Sequence, residues 1–225
     1  MKRWLYRMQY KYGRYGIENL MMYITITMLA VYLAGALLDD PVVGFIFFDR
    51  GLILQGEVWR VITFVFQPLN SNPIWLFISL YVYYFLGTSL EREWGTFSFN
   101  IYYFIGILGA IIAGFLVGTA TNLFINTALL LAFAQLFPDT EFRLFFLIPV
   151  KVKYIGYATW IIYGISLIVA LVSLDFPMVA AILASLANFF VFFGGDISGK
   201  LRTWLKYRGR RRQFKKDKRR YPNQW

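Results

Sequence analysis

The chain contains neither cysteine nor histidine. The first absence removes disulfides, thiol nucleophiles and thiolate metal sites. The second removes every Ser-His or Cys-His pair, His-ligated zinc and the ordinary proton shuttle near neutral pH. No metal or cofactor is therefore expected. Charge is also scarce, at 16% of the residues, against 59% hydrophobic and 20% aromatic. Such a composition excludes an ordinary soluble domain, because its apolar residues fall in blocks long enough to cross a bilayer core of about 30 Å. The expected fold class is an all-α, polytopic membrane protein.

Six apolar segments are predicted as helices, over residues 17–38, 72–90, 97–120, 122–137, 153–174 and 176–193. The first is too long for a signal h-region and no small-residue cleavage site follows it, so it is expected to be a permanent helix. Asp39, Asp40 and Pro41 close it, since a proline next to two charges makes continuation unfavourable. The loop that follows is too apolar for water, with Phe45, Phe47, Phe48, Ile53, Phe64 and Phe66, and too charged for a span, with Asp49, Arg50, Glu57 and Arg60. A position in the membrane interface satisfies both demands. In the third segment Gly106, Ala110, Gly114 and Gly118 recur every fourth residue. They share one helical face on which another backbone can approach closely. The fourth segment, of 16 residues, is shorter than the bilayer core and needs cover from its neighbours.

Three regions follow: a basic aromatic segment over 1–16, the membrane domain over 17–199 and a polybasic tail over 200–225. The first has five basic residues among tryptophan and tyrosines, suited to headgroup depth, and the tail has twelve against a single Asp. Six spans put both ends on one side, and the positive-inside bias makes that side the cytoplasm, leaving only Arg50 and Arg60 of the loops outside. A multi-pass protein of the cell membrane is expected. The run RGRRRQFKKDKRR is dense in phosphate-seeking charge, but next to a membrane helix it is first a topology signal and a contact for anionic lipid headgroups. Membrane lipids are thus expected partners, and nucleic acid is not.

Several motifs occur in a fixed order: Gln55-Gly56-Glu57-Val58-Trp59-Arg60-Val61-Ile62-Thr63, then Leu86-Gly87, Leu90-Glu91 and Trp94-Gly95, then Leu131-Ala132-Phe133-Ala134-Gln135-Leu136-Phe137-Pro138, and finally Ile148-Pro149-Val150-Lys151-Val152-Lys153-Tyr154. Together they resemble the rhomboid superfamily over about 56–154, thinly over the last two helices and not in either tail. The resemblance implies a six-helix rhomboid-like bundle with an interfacial first loop. In rhomboid proteases a Gly-x-Ser-Gly motif carries the nucleophile; counted back from Ala132-Phe133-Ala134, it falls on Thr121-Asn122-Leu123-Phe124, which places Leu123 at the nucleophile position. The family's histidine base falls at Asn188, after Ala187, and its oxyanion residues at Trp75 and Ser79. Leucine cannot attack a carbonyl, and an amide exchanges no proton near neutral pH. A misplaced alignment could explain one substitution, but not a chain without histidine. The resemblance therefore points to the non-catalytic members, inactive rhomboids and derlins, which implies a pseudoprotease that binds other membrane proteins. Classing the chain with the serine proteases would describe ancestry rather than activity.

Other chemistry has weaker grounds. Lys151 and Lys153 have no serine nearby for a Ser-Lys dyad and suit topology anchors better, while Asp139 and Asp196 are expected at cytoplasmic helix ends. The polar residues Asn122, Asn126, Thr127, Gln135 and Asn188 lie within spans. Such groups usually bond across helices for under ~2 kcal/mol each. The functional alternative is that Asn122, Asn126 and Asn188 line a polar cavity around the vacated site and hold a partner helix's unwound backbone. Trp59 and Arg60 resemble the Trp-Arg pair of derlins and inactive rhomboids. An indole at headgroup depth with a guanidinium on phosphate would anchor the loop or capture a partner. Gly95 is expected to permit a tight turn, and Glu91 to accept bonds from turn amides or Arg92. A transporter or lipid-handling protein on the same scaffold is the alternative function.

Overall fold

The computed structural model describes residues 3–37, 41–144 and 148–194, and the polybasic tail with its expected headgroup contacts lies outside them. The chain opens with an interfacial-type helix, α1 (Arg3–Tyr12), and a 3-10 turn, Gly13–Tyr15. Tyr10 and Tyr15 are exposed on this segment. The segment does not stand apart from the bundle: the Ser98 hydroxyl donates to Gln9 Oε1 (3.2 Å) and Asn100 Nδ2 to the Ile17 carbonyl (3.1 Å).

Five helices are long and apolar enough to cross a membrane: α2 (Leu20–Leu37), α6 (Pro73–Trp94), α7 (Thr96–Val117), α9 (Val152–Val172) and α10 (Phe176–Gly194). A sixth apolar helix, α8 (Leu123–Leu136), has 14 residues, about 21 Å at 1.5 Å per residue. It is covered by α6, α7 and α9. All six occupy the segments expected from hydropathy. This is an all-α, multi-pass membrane protein.

The helix ends follow from local chemistry. Asn72 caps α6, its Oδ1 accepting from the amides of Ile74 (3.0 Å) and Trp75 (3.4 Å), with Pro73 at the first helical position. The helix runs on through Glu91–Trp94, four residues beyond the end of the apolar segment at 90. Gly95 alone (φ +80°, ψ 152°) separates α6 from α7, a conformation open to glycine and strained for other residues. Gly118 (φ +107°) ends α7 with its amide on the Gly114 carbonyl (2.7 Å). It is therefore a C-cap and not part of the small-residue helical face expected from the four-residue spacing. Of that face, Gly106 meets Asn188 and Ile125, while Gly114 receives the Phe48 ring and Ala120 instead of another helix.

The first loop folds into short pieces: α3 (Pro41–Ile46), β1 (Phe48–Asp49), α4 (Arg50–Leu54), α5 (Arg60–Thr63) and a 3-10 turn, Phe64–Phe66. Phe48, Ile53, Phe64 and Val65 are buried in the core, whereas Phe45, Leu54, Trp59 and Ile62 are exposed. One apolar side in the bundle and another open to the surroundings is the pattern of a segment lying in the interface. The loop is tied to the end of α7 by β1 pairing antiparallel with β2 (Thr119–Ala120) and by Arg50, whose amide reaches the Gly118 carbonyl (2.8 Å) and whose Nη1 reaches that of Phe115 (3.0 Å).

After α8 the chain forms an antiparallel hairpin, β3 (Glu141–Leu144) with β4 (Ile148–Lys151). Phe142 packs on Phe85 of α6 and Phe133 of α8, so the hairpin covers the end of the short helix. Lys153 Nζ bonds Asp139 Oδ1 at 2.9 Å, and that bond holds the Asp139 carboxyl below its ordinary pKa.

Candidate functional site

Of the Trp59-Arg60 pair, Arg60 turns inward. Arg60 is 3% exposed. Its Nε and Nη2 bond Glu57 Oε2 at 2.6 Å, and its Nη1 donates to the carbonyls of Gly44 (2.7 Å) and Phe47 (3.1 Å). Trp59 Nε1 donates to the Phe45 carbonyl (3.1 Å) and the Thr63 hydroxyl to that of Ile46 (3.1 Å). The carbonyls of residues 44–47, left without helical partners as α3 ends, are each taken by one side chain of α5 or its cap. The expectation of a guanidinium on lipid phosphate is corrected: Arg60 is occupied by the protein, because two carbonyls and a carboxylate take its donors. Only Trp59, about half exposed, keeps an outward face.

Glu91 also has a different partner from the one expected. Its Oε1 accepts from the Asn19 amide (3.0 Å), 72 residues away, at the start of α2. A carboxylate there offsets the partial positive charge of a helix N-terminus. Gly95 performs the tight turn predicted for it.

The vacated catalytic positions fall into separate places. Leu123 begins α8 and is about half exposed. Asn188, 4% exposed, lines a cavity of about 230 Å³ between α7, α8 and α10 together with Gly106, Ile125 and Ser185. Trp75 and Ser79 line a second cavity, of about 240 Å³, between α6 and α8. Leu123 lines neither. The Ser79 hydroxyl donates to the Leu76 carbonyl (2.8 Å) and the Ser185 hydroxyl to that of Phe124 (3.0 Å).

The three asparagines do not share one cavity, which corrects that expectation. Asn122 is fully buried, and its Nδ2 donates to the carbonyls of Val65 (2.9 Å) and Gln67 (2.7 Å). It fastens the exit of the first loop to the start of α8 and lines neither cavity. Asn126, 1% exposed, lines the α6–α8 cavity, whereas Asn188 lines the other. Both amide atoms of Asn126 and of Asn188 lack a hydrogen-bond partner among the described residues. Leaving a buried polar group unsatisfied costs about 1–3 kcal/mol; single atoms such as Glu91 Oε2 and the Tyr103 hydroxyl are also unpartnered, but among the described residues Asn126 and Asn188 are the buried amides with neither atom bonded, whereas Tyr102 donates its hydroxyl to the Ala128 carbonyl (2.8 Å).

Sequence reasoning missed the clasp on α3 and the reach of Arg50. The signal was present as Trp59, Arg60 and Thr63 at one-turn spacing after an acidic Glu57, but the carbonyls that they serve could not be seen. Comparison with protein-family models finds no match for the chain, and no curated protein matches it either. The class is defined by the structure: a multi-pass helical membrane protein with a clasped first loop, a short central helix and two small cavities that each hold a buried, unpartnered amide.

Proposed function

We propose that the chain is a rhomboid-like pseudoprotease, an integral membrane protein that binds other membrane proteins without cleaving them, with both termini in the cytoplasm and residence in the cell membrane. One observation carries this reading, the start of α8. An apolar side chain, Leu123, stands about half exposed where the resemblance would put a nucleophile. The neighbouring hydroxyls are used locally: Thr121 Oγ1 accepts from the Leu123 amide (3.3 Å) and Thr127 donates to the Leu123 carbonyl (2.8 Å). A chain without histidine supplies neither with an imidazole base. Exposed apolar surface at a helix start offers a partner contact rather than chemistry.

The test is a photo-crosslinking amino acid at Leu123 in intact cells, with captured proteins identified by mass spectrometry. Specific membrane proteins of full length are expected. Capture of lipid alone would count against client binding, and cleavage of a transmembrane substrate by the purified protein, lost on a Ser or Thr substitution, would overturn the reading. A transporter or lipid-handling function is the second reading, favoured by the two cavities with unpaired amides. It requires flux of solute or lipid in reconstituted vesicles; absence of flux alongside specific captured proteins counts against it.

A further inference from the structure

The cavity between α6 and α8 changes polarity along its length. At the first-loop end its walls include Asn70, Ser79, Asn126 and Thr127; one to two turns further along both helices they are Val82, Tyr83, Leu86 and Leu130, apolar but for the one phenol hydroxyl. Trp75 and Ile78, which also line it, are exposed residues of the apolar helix α6, so it opens onto the surface of a helix long enough to span the bilayer. Asn126 is 1% exposed with both amide atoms unpartnered.

Size limits the occupant. At about 240 Å³ the cavity is smaller than the roughly 300–1,000 Å³ of pockets for drug-sized ligands, and a helix about 10 Å across cannot enter it. Water would satisfy the polar end but not the apolar one. A slender amphiphile fits both ends. We propose that this slot takes one acyl chain of a bilayer phospholipid, with its ester carbonyl accepting a hydrogen bond from Asn126 Nδ2 and its first methylenes between Val82, Leu86 and Leu130. The depth agrees: Asn126 lies about 5 Å along α8 from Leu123, and the exposed Trp75 indole belongs at headgroup level. The slot is independent of the client-binding reading and of the exposed Leu123.

The full-length protein in nanodiscs of phosphatidylcholine carrying a diazirine near the carbonyl end of one acyl chain tests this, with crosslinked residues mapped by mass spectrometry. Labelling is expected to concentrate at 75–86 and 126–130 over equally exposed positions of α9 such as Ile161 and Ile165. Leu130→Trp, which fills the slot, should reduce that labelling about tenfold, and Asn126→Leu about three- to tenfold, the range of one hydrogen bond within a membrane. Labelling of α9 should not change. The proposal fails if 75–86 and 126–130 are labelled no more than α9, or if labelling there survives Asn126→Leu in protein whose thermal unfolding shows an intact fold. It also fails if a photo-crosslinker at Val82 captures polypeptide instead of lipid. If Leu130→Trp does not fold, the Asn126→Leu comparison decides alone.

Discussion

At Gly87 the backbones of α2 and α6 come so close that a single methyl group would not fit: a Cβ there would stand 1.9 Å from Met21 Cγ and 2.7 Å from Met21 Cβ. The second atom belongs to the stem of the methionine, so a change of rotamer cannot clear it. Gly87→Ala should therefore destabilise the protein by about 1–3 kcal/mol through overpacking, despite alanine's better helix propensity. Met21→Ala should recover part of that loss in the double variant. Thermal unfolding in detergent of the two single variants and the double one measures the coupling, and strict additivity would mean that the contact does not limit the packing. Sequence alone placed Gly87 within a Leu-Gly pair but could not assign it a neighbour, because Met21 lies 66 residues earlier. Gly95 was legible for the opposite reason: its role is local and needs only its own φ.

Among the elements, the six apolar helices were legible because hydropathy over 14 to 22 residues is a strong signal of length and burial. The hairpin was not, since its strands have four residues each, and its cover for α8 depends on Phe142 meeting side chains of two other helices. The first loop was legible only as interfacial. Its internal order comes from Arg60, which gathers the end of α3 and Glu57 around one buried guanidinium. Arg60→Leu would leave Glu57 and two carbonyls without their donor. Breaking a buried pair from one side costs about 3–5 kcal/mol, and the partial exposure of Glu57 puts the loss at the lower end. Arg60→Lys should recover little, because an ammonium lacks the planar fork that reaches several acceptors at once. Hydrogen exchange on residues 44–66 is the suitable measurement: faster exchange confined to this loop is expected, with α7 and α9 unchanged. Protection equal to that of the unaltered protein would show that the clasp does not hold the loop.

For the whole molecule, the long-range contacts sort the connections into two opposite faces. Gln9 beside Gly95 and Ser98, together with Glu91 on the Asn19 amide, puts α1 and the α6–α7 turn on one face. The pairing of β1 with β2 puts the first loop and the α7–α8 connection on the other, where Asp175 of the α9–α10 turn joins Thr119 and Thr121 around one cavity. The relative arrangement rests on geometry, while its absolute direction rests on charge. The N-terminal segment and tail carry seventeen of the 23 basic residues, and the positive-inside bias favours the cytoplasm for such segments. Because the chain has no cysteine, single cysteines report sidedness without a background. Tyr10→Cys, Leu54→Cys and Leu174→Cys replace exposed residues. A membrane-impermeant thiol reagent applied to intact cells should label the second and third and reach the first only after permeabilisation. Labelling of Tyr10→Cys alone would invert the direction and leave the two-faced arrangement standing; labelling of Tyr10→Cys together with Leu54→Cys would contradict the arrangement itself, because no single crossing by α2 can put both on one side.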